Sequence, residues 1–473
     1  MRPSKSPLLF LFLFLVVCGL AAASFAQNDP QAAAAVAGGQ AAFTNPETPI
    51  DVNTLPPVQL TVSSDTVFDA ATGKVVSGAG VSGQSNVNTK AGIGGGNDDS
   101  LINGRVRRTP LGGTIDGLDT LATFDGAFFA QAGPNSTGIR LFRFSMMGNH
   151  PLAGGTTVIP ARIDEVSLVL LNEDGKVLTT VPFSPFERLT LESPNFEPLN
   201  YRSGRNIQYG DAVHRAQFFN SMAKDWHTVL VPHIVNRVTI TVPRFVNIQL
   251  QDGTIIQARS YFIGTAADGN TFVLMLNALF NFFFDNVVVN DINLGNFTTN
   301  GLNMTLFPNT FLFSLNVNDP NTPGGCCVLG FHTFFADTST VPQPRWVTQY
   351  ASWISPGLFG AGFQDVTALS HETAEAIGDP FVDNATPRWQ FPGQPPDSKV
   401  CQGNLEEGDP IEVLPNAVSP ITVREGNFKF TYHPQTIPLL QWFEMGQKSN
   451  AIDGAFSFPD ETALPHSAVP CPQ

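Results

Sequence analysis

The residues of this chain best placed to do chemistry together are a histidine and a glutamate four positions apart. His371 and Glu375 lie in the segment FQDVTALSHETAEAIGDP, residues 363–380. Side chains four positions apart lie on the same face of an α-helix, so both can bind one cation. Glu372, which follows the histidine, is then placed to act as general base on a water that the metal activates. The pattern H-E-x-x-E therefore indicates a centre for metal-dependent hydrolysis, with Glu372 as its catalytic residue.

The motif differs from that of zinc peptidases at one position. Those enzymes use H-E-x-x-H, and here Glu375 stands in place of the second histidine. Carboxylates bind zinc at about 2.0–2.2 Å, so the replacement is chemically allowed. It also makes the site more anionic, which weakens the Lewis acidity of the ion and broadens the choice of metal toward manganese or iron. We therefore expect Zn²⁺ or another divalent metal.

Acidic residues and one histidine outside the motif are candidates for the third protein ligand that a catalytic zinc needs. They lie before the helix, at its end, or in the downstream segment CQGNLEEGDP: His332, Asp379, Glu406, Glu407 and Asp409. The alternative interpretation is an exposed helix whose histidine and glutamates are only solvated. The order of elements favours the metal site, because two strands, a capped helix and a later acidic cluster match the layout of zincin-type metalloproteases.

A helix must position these side chains, and the sequence predicts where it begins and ends. Asp365 is a plausible N-cap, whereas Gly378 and Pro380 end the helix. Core-facing residues recur at helical spacing along one face: Val366, Leu369, Thr373 and Ile377. His371 and Glu375 fall roughly opposite that face. We therefore expect them to point into a cleft.

Strands are predicted before the helix. The segments 326–335 and 345–354 are typical of buried strands, and 162–183 predicts two strands around the turn Asp174-Gly175. Residues 210–222 predict a short amphipathic helix, whereas the apolar run 271–284 fits either a helix or a strand.

Longer blocks of the sequence resemble a group of exported, largely uncharacterised bacterial proteins. The block LSHETAEAIGDP, then RW and CQGNLEEGDP, is similar to their pattern S-H-E-x-A-E-x-x-x-D-P. More distantly, these pieces resemble the phosphate-induced, exordium-type cell-wall proteins of plants. The resemblance covers most of residues 114–460, and six residues fall on the pattern: His371, Glu372, Glu375, Asp379, Glu406 and Asp409.

The chain departs from the pattern at two positions. Glu407 stands where the group has an aliphatic residue, and Gly378 where it often has threonine. The resemblance therefore favours Glu406 over Glu407 as the third ligand, with Asp409 next. It implies no established activity.

Charge excludes two classes of partner. The formal net charge is −15, and removal of Arg2 and Lys5 with a signal peptide brings it to −17. Nucleic acids and anionic membranes are bound by basic surfaces. We therefore expect no nucleic-acid partner.

The N-terminus predicts export. Arg2 and Lys5 precede an apolar run from Leu8 to Val17, and small residues ending at Ala26 follow. This is the pattern of a cleaved signal peptide, and no later apolar run is long enough to span a membrane. We expect a secreted, extracellular or periplasmic protein with no membrane span in its mature chain.

Four cysteines remain after such cleavage, which indicates two disulfides in an exported protein. Because a bond between adjacent residues is strained, Cys326 and Cys327 are expected to pair with Cys401 and Cys471 in some order. A thiol metal site is the rival interpretation, but no C-x2-C spacing supports it.

These observations predict an α+β fold with a zincin-like metallohydrolase domain after a strand-rich segment, which can pack as part of the same unit. The predicted segments are a signal peptide (1–26), a low-complexity flexible segment (27–110), a strand-rich segment (111–209), the zincin-like domain (210–460) and a C-terminal tail (461–473).

The predicted function is that of a secreted metal-dependent hydrolase, a zincin-like peptidase acting on a peptide or protein substrate. His371, Glu375 and Glu406 hold the metal in this hypothesis, and Asp379 and Asp409 support or replace them. Two alternatives remain open: a non-enzymatic extracellular or cell-surface protein that keeps a structural metal site, and a β-rich surface-binding module in which the acidic motif is incidental.

Overall fold

A computed structural model describes residues 58–62, 66–77, 91–94, 121–131, 138–200, 206–337, 344–359, 362–389, 402–412, 414–425, 428–444 and 458. The predicted signal peptide, the predicted C-terminal tail, Cys401 and Cys471 lie outside these residues.

The first strands are β1 (Val58–Thr61), β2 (Val67–Asp69), β3 (Val75–Ser77), β4 (Ala91–Gly94), β5 (Thr123–Gln131), β6 (Ile139–Met147), β7 (Thr156–Leu171), β8 (Val177–Val181), β9 (Leu199–Asn200), β10 (Asn206–Ile207), β11 (His227–Val242), β12 (Phe245–Gln249) and β13 (Ile255–Arg259). The later strands are β14 (Tyr261–Thr265), β15 (Thr271–Leu276), β16 (Leu302–Pro308), β17 (Thr310–Leu315), β18 (Pro323–Val328), β19 (Gly330–Asp337), β20 (Arg345–Phe359), β21 (Phe363–Asp365), β22 (Ala385–Trp389), β23 (Gln402–Asn404), β24 (Ile421–Glu425) and β25 (Phe428–Tyr432). The helices are α1 (Ser184–Leu191), α2 (Tyr209–Gln217), α3 (Asn277–Leu294), α4 (Thr367–Gly378) and α5 (Leu440–Phe443), with 3₁₀ turns at Pro151–Ala153 and Asp409–Ile411.

A large mixed sheet organises the molecule. Its order is β1-β11-β7-β16-β20-β19-β4, with β8 paired to β7 and β21 paired to β20. The strands from β1 to β20 in this order run parallel to one another, whereas β19 and β4 add in antiparallel fashion. Every residue of the central strand β16 is buried, as expected for parallel strands that are covered on both faces.

The sheet separates two hydrophobic cores. Along β7 the side chains of Ile159, Ala161 and Ile163 join one core, and those of Val166, Leu168 and Leu170 join the other, because successive residues of a strand point to opposite faces. The helix α3, with its buried phenylalanines, covers the second face. The helix α4 packs on β19 and β20 and contributes Leu369 and Ile377 to the first core.

The predicted fold class, α+β with a zincin-like domain, is wrong. The described part of the chain is dominated by strands arranged in several sheets and has only five helices. The error has a physical reason: the H-E-x-x-E spacing requires one helical turn and leaves the surrounding architecture open. The central sheet draws strands from both the 111–209 and the 210–460 segments, and short strands β1 to β4 lie within 27–110.

The structure confirms the predicted hairpin and shows which elements the ambiguous apolar run forms. The hairpin at 162–183 is confirmed by the antiparallel pair β7–β8, with Gly175 at a φ of 72° in the turn. The ambiguous run 271–284 divides between a strand and a helix, since β15 ends at Leu276 and α3 begins at Asn277. No helix in the described ranges has the length and apolar character needed to cross a membrane.

The cysteine pairing differs from the expectation. Cys326 is bonded to Cys327 at the end of β18, so these two residues do not pair with Cys401 and Cys471. The expectation had set this pairing aside because a bond between adjacent residues is strained.

Candidate metal centre

The helix that carries the motif is buried on every side. All residues of α4 from Thr367 to Gly378 are buried, because β19 and β20 cover one side and α2 another. Gly210 of α2 lies so close that a Cβ there would meet Ile377 at 2.6 Å. The helix therefore lacks the broad exposed face that the sequence led us to expect, and its most exposed motif side chain, that of His371, is 11% exposed.

The predicted N-cap is also wrong. The residue at that position is Val366, and the helix has no side-chain cap. Asp365 ends β21 instead, where its carboxylate accepts a hydrogen bond from the Val366 N–H at 2.6 Å and pairs with His433 Nδ1 at 2.6 Å. The predicted end at Gly378 is confirmed.

A chain of hydrogen bonds fixes the ring of His371. The side-chain N–H of Gln435 donates to the carbonyl of Gly408 at 2.7 Å, so the other amide atom, Oε1, faces His371 Nδ1 at 3.0 Å. Because that oxygen only accepts, Nδ1 carries the hydrogen. The opposite nitrogen, Nε2, faces Glu375 Oε1 at 3.0 Å and Asp409 Oδ1 at 3.4 Å. Histidines that bind metals are commonly oriented in this way through their second nitrogen.

His332 on β19 has the same kind of arrangement from the opposite side. Its Nε2 lies 3.1 Å from the carbonyl oxygen of Asp379, which can only accept a hydrogen bond. Nδ1 therefore faces the carboxylates, with Glu375 Oε2 at 3.4 Å and Glu406 Oε2 at 3.8 Å. The sheet thus supplies a second histidine to the motif helix.

Glu375 lies between the two histidines. One of its carboxylate oxygens faces each ring, Oε1 toward His371 and Oε2 toward His332. The backbone N–H of Gly408 also donates to Oε1 at 3.0 Å. Its position therefore links α4, β19 and the 402–412 segment.

Glu372 lies about as close to one histidine as to the other. Its two oxygens are 4.0 Å from His371 Nε2 and 3.9 Å from His332 Nδ1. Oε2 is buried and has no hydrogen-bond partner among the described residues. Gly330 makes room for the side chain, since a Cβ there would lie 2.5 Å from Glu372 Oε1.

The carboxylates of the cluster raise the pKa of both histidines. Burial alone would lower the pKa of His332, but the carboxylates of Glu406, Glu375 and Glu372 outweigh it and raise the pKa to about 10. The pKa of His371 is likewise raised well above 6.5, because Glu375 and Glu372 outweigh burial. Burial would raise the pKa of Glu375, yet the two histidines hold it well below its ordinary value. The cluster is thus strongly attractive to positive charge.

Two sequence candidates lie apart from the converging ligand atoms. Glu407 accepts a hydrogen bond from Gln217 Nε2 at 2.9 Å. The carboxylate of Asp379 accepts from the backbone N–H groups of Asp383 and Asn384 and so fixes the loop after α4. Asp379 contributes its carbonyl to His332 instead.

The sequence reasoning missed Glu412 and Gln435. Glu412 joins His371 and Asp409 in one group of possible ligands. Its spacing of three residues from Asp409 could have indicated a shared ligand site, because positions three apart in a 3₁₀ turn lie on the same side. Gln435 lies 64 residues from His371, its hydrogen-bond partner, and no local pattern could have pointed to it.

The donor atoms fit a metal ion. Two ligand atoms about 2.1 Å from an ion are about 3.0 Å apart at a right angle and about 3.4 Å apart at a tetrahedral angle. The closest contacts of the two histidines with carboxylate oxygens, 3.0 and 3.4 Å, lie in this range. The possible ligands form three overlapping groups, and within each group one ligand atom per residue lies within 4.8 Å of the others. The groups are His332 with Glu375 and Glu406, His371 with Glu372 and Glu375, and His371 with Asp409 and Glu412.

Comparison of the chain with family models, with curated proteins and with solved structures finds no match.

Proposed function

We propose that this protein is a metal-dependent hydrolase that is exported from the cell. The observation that carries the proposal is the convergence of two histidines from different elements on Glu375, each with its other nitrogen held by a carbonyl oxygen. His332, His371 and Glu375, with Glu406 and Asp409, are the side chains that would bind divalent metal. A bound divalent ion supplies Lewis acidity and lowers the pKa of water. Export rests on the signal-peptide pattern of residues 1–26.

Glu372 is the general base in this proposal. Its Oε2 has no donor in the described ranges, so its lone pairs stay available for a proton. Burial raises the pKa of Glu372 well above 4.5, and the opposing effect of His371 does not cancel this. A carboxylate whose pKa is raised toward the working pH is an effective general base. The same group can then protonate the leaving amine or alcohol.

The more exposed side of the cluster sets the direction of substrate approach. The side chains of Asp409, Glu406 and His371 are 21%, 13% and 11% exposed, whereas those of His332, Glu372 and Glu375 are at most 5% exposed. A substrate would therefore enter beside the 402–412 segment. Peptide bonds are the substrate class that we propose first, since the base directly follows a ligand histidine as in metallopeptidases.

One observation favours a second candidate, a structural metal site in a non-enzymatic extracellular protein. Every residue of α4 is buried, and structural sites are closed whereas catalytic sites keep an open position. In that case the ion would serve to hold the 402–412 segment against α4.

The substitution Glu372→Gln distinguishes the metal-dependent hydrolase from the structural metal site. Wild type should contain a divalent metal by elemental analysis and should cleave a fluorogenic peptide library, and a chelator should stop the cleavage. Glu372→Gln should keep the metal but lower kcat by about 10²- to 10⁴-fold, the usual contribution of a general base. Glu173→Gln, a change in an exposed turn, serves as the matched control.

Three results would contradict or redirect the proposal. A metal-free protein that stays metal-free after incubation with Zn²⁺ or Mn²⁺ would refute both candidates. Full peptidase activity in Glu372→Gln would refute the role of Glu372 as general base. A protein that binds metal and loses thermal stability on chelation, yet hydrolyses neither peptides nor esters, would support the structural site.

A further inference from the structure

We infer that the cluster binds two divalent cations, with Glu375 as the carboxylate that bridges them. The inference rests on the proposed function for the presence of a metal site and adds the number of ions and their ligands.

The ligand atoms divide into two sets that share Glu375. The first set has His332 Nδ1, Glu406 Oε2 and Glu375 Oε2. The second has His371 Nε2 and Glu375 Oε1, 3.0 Å apart, and Asp409 Oδ1 lies 3.4 Å from the same nitrogen. Each oxygen of the shared carboxylate therefore faces a different histidine, which is the arrangement a bridging carboxylate needs.

One ion cannot take all of these ligands. Two atoms bound to the same ion at about 2.1 Å are at most about 4.2 Å apart. The groups whose atoms lie within 4.8 Å of one another each contain one histidine, and none contains both. Each histidine thus belongs to a separate position for a cation.

The charge of the cluster also indicates two cations. Five carboxylates belong to these groups: Glu372, Glu375, Glu406, Asp409 and Glu412. Within the described ranges, the first four have ion pairs with histidines only. With all five carboxylates ionised and the histidines neutral as ligands, one dication leaves a charge of −3 and two leave −1. Uncompensated charge is costly in a buried site, so two ions fit the donor set better than one.

The surroundings of Glu372 are a second, independent indication that two cations bind. Its Oε2 is buried without a hydrogen-bond donor, and its two oxygens lie 4.0 Å and 3.9 Å from the two histidines. A buried carboxylate oxygen normally has a partner. A pair of cations, with His332 on one and His371 on the other, would supply positive charge on both sides of this side chain. Mixed imidazole and carboxylate ligands suit Mn²⁺, Zn²⁺ and Fe²⁺.

The test is the stoichiometry and the magnetic coupling of bound Mn²⁺. The purified full chain, stripped of metal and titrated with Mn²⁺, should bind two equivalents. Its electron paramagnetic resonance spectrum should show an exchange-coupled pair, because paired metals in such sites are about 3.5–4 Å apart. His332→Ala and His371→Ala should each remove one equivalent and leave an uncoupled six-line spectrum. His150→Ala and Glu173→Gln, outside the cluster, should keep both ions.

The outcomes separate this inference from the proposed function. One equivalent with a six-line spectrum in the wild type would overturn the two-ion site and leave a one-ion hydrolase standing. No binding of Mn²⁺ or Zn²⁺ would overturn both. Two equivalents that persist in folded His332→Ala and His371→Ala would place the ions elsewhere and overturn the assignment. Because the wild-type stoichiometry decides first, a variant that fails to fold does not remove the test.

Discussion

Gly408 allows a sharp test of the geometry, because the ring of His371 lies directly over it. An alanine Cβ at this position would lie 2.6 Å from His371 Nδ1 and 2.7 Å from Cγ and Cε1. The backbone has a φ of −79° and a ψ of −34°, which alanine adopts without strain. The substitution Gly408→Ala therefore acts through steric contact alone.

The size of the effect follows from the contact. Ordinary contacts begin near 3.4 Å, so the ring must retreat by about 0.8 Å. Ligand distances in a metal site are held within about 0.2 Å, and the ring would also break away from Gln435. We expect divalent-metal affinity to fall by about 10- to 100-fold, the usual effect of disturbing a ligand's support. Overpacking should lower the free energy of unfolding by about 1–3 kcal/mol.

Calorimetric titration with Zn²⁺ measures the affinity, and denaturant unfolding measures the stability. Gly138→Ala is the matched control, since a Cβ there meets nothing within 4 Å. If folded Gly408→Ala binds Zn²⁺ as tightly as the wild type, His371 is not a metal ligand held over this glycine.

Three further predictions test the ligand support, a buried carboxyl pair and the core. Gln435→Leu removes the acceptor of His371 Nδ1 and should weaken Zn²⁺ binding by about 10- to 100-fold; an unchanged titration would refute this role. Burial and the neighbouring Asp291 raise the pKa of Asp164 well above 3.8. The folded state therefore keeps a proton that the unfolded chain releases above about pH 4, and stability is lost as pH rises, by up to about 1.4 kcal/mol per pH unit. Asp164→Asn should flatten this decline in thermal melts from pH 4 to 8, and an unaltered slope would contradict it. Phe280→Ala, at a fully buried site among aromatic rings, should cost about 3–5 kcal/mol in denaturant unfolding, whereas exposed Phe129→Ala should change it by no more than about 0.5 kcal/mol.

Short-range patterns predicted local features well. The sequence places His371 and Glu375 on one helical turn because a helix repeats every 3.6 residues, and in the structure their ligand atoms lie 3.0 Å apart. The same kind of reasoning predicted the end of α4 at Gly378 and the hairpin of β7 and β8. Each of these depends only on residues within a few positions of one another.

The wrong predictions concern what the rest of the chain places around the helix. The five-residue motif led us to predict a whole zincin-like fold, yet the helix that carries it packs on a large mixed sheet. The expected open face is covered, and the expected cap, Asp365, is paired with His433 instead. Packing against distant elements decided each of these points.

The sequence by itself determined one half of the candidate site, the His371–Glu375 pair, and the acidic segment that could complete it. Only the tertiary structure decided that His332 faces the other oxygen of Glu375 and that Gln435 orients His371. Helical spacing is fixed by local backbone geometry and can be read from neighbouring residues. The approach of β19, the 402–412 segment and Gln435 to one carboxylate depends on strand pairing and burial over long separations, which no local pattern contains.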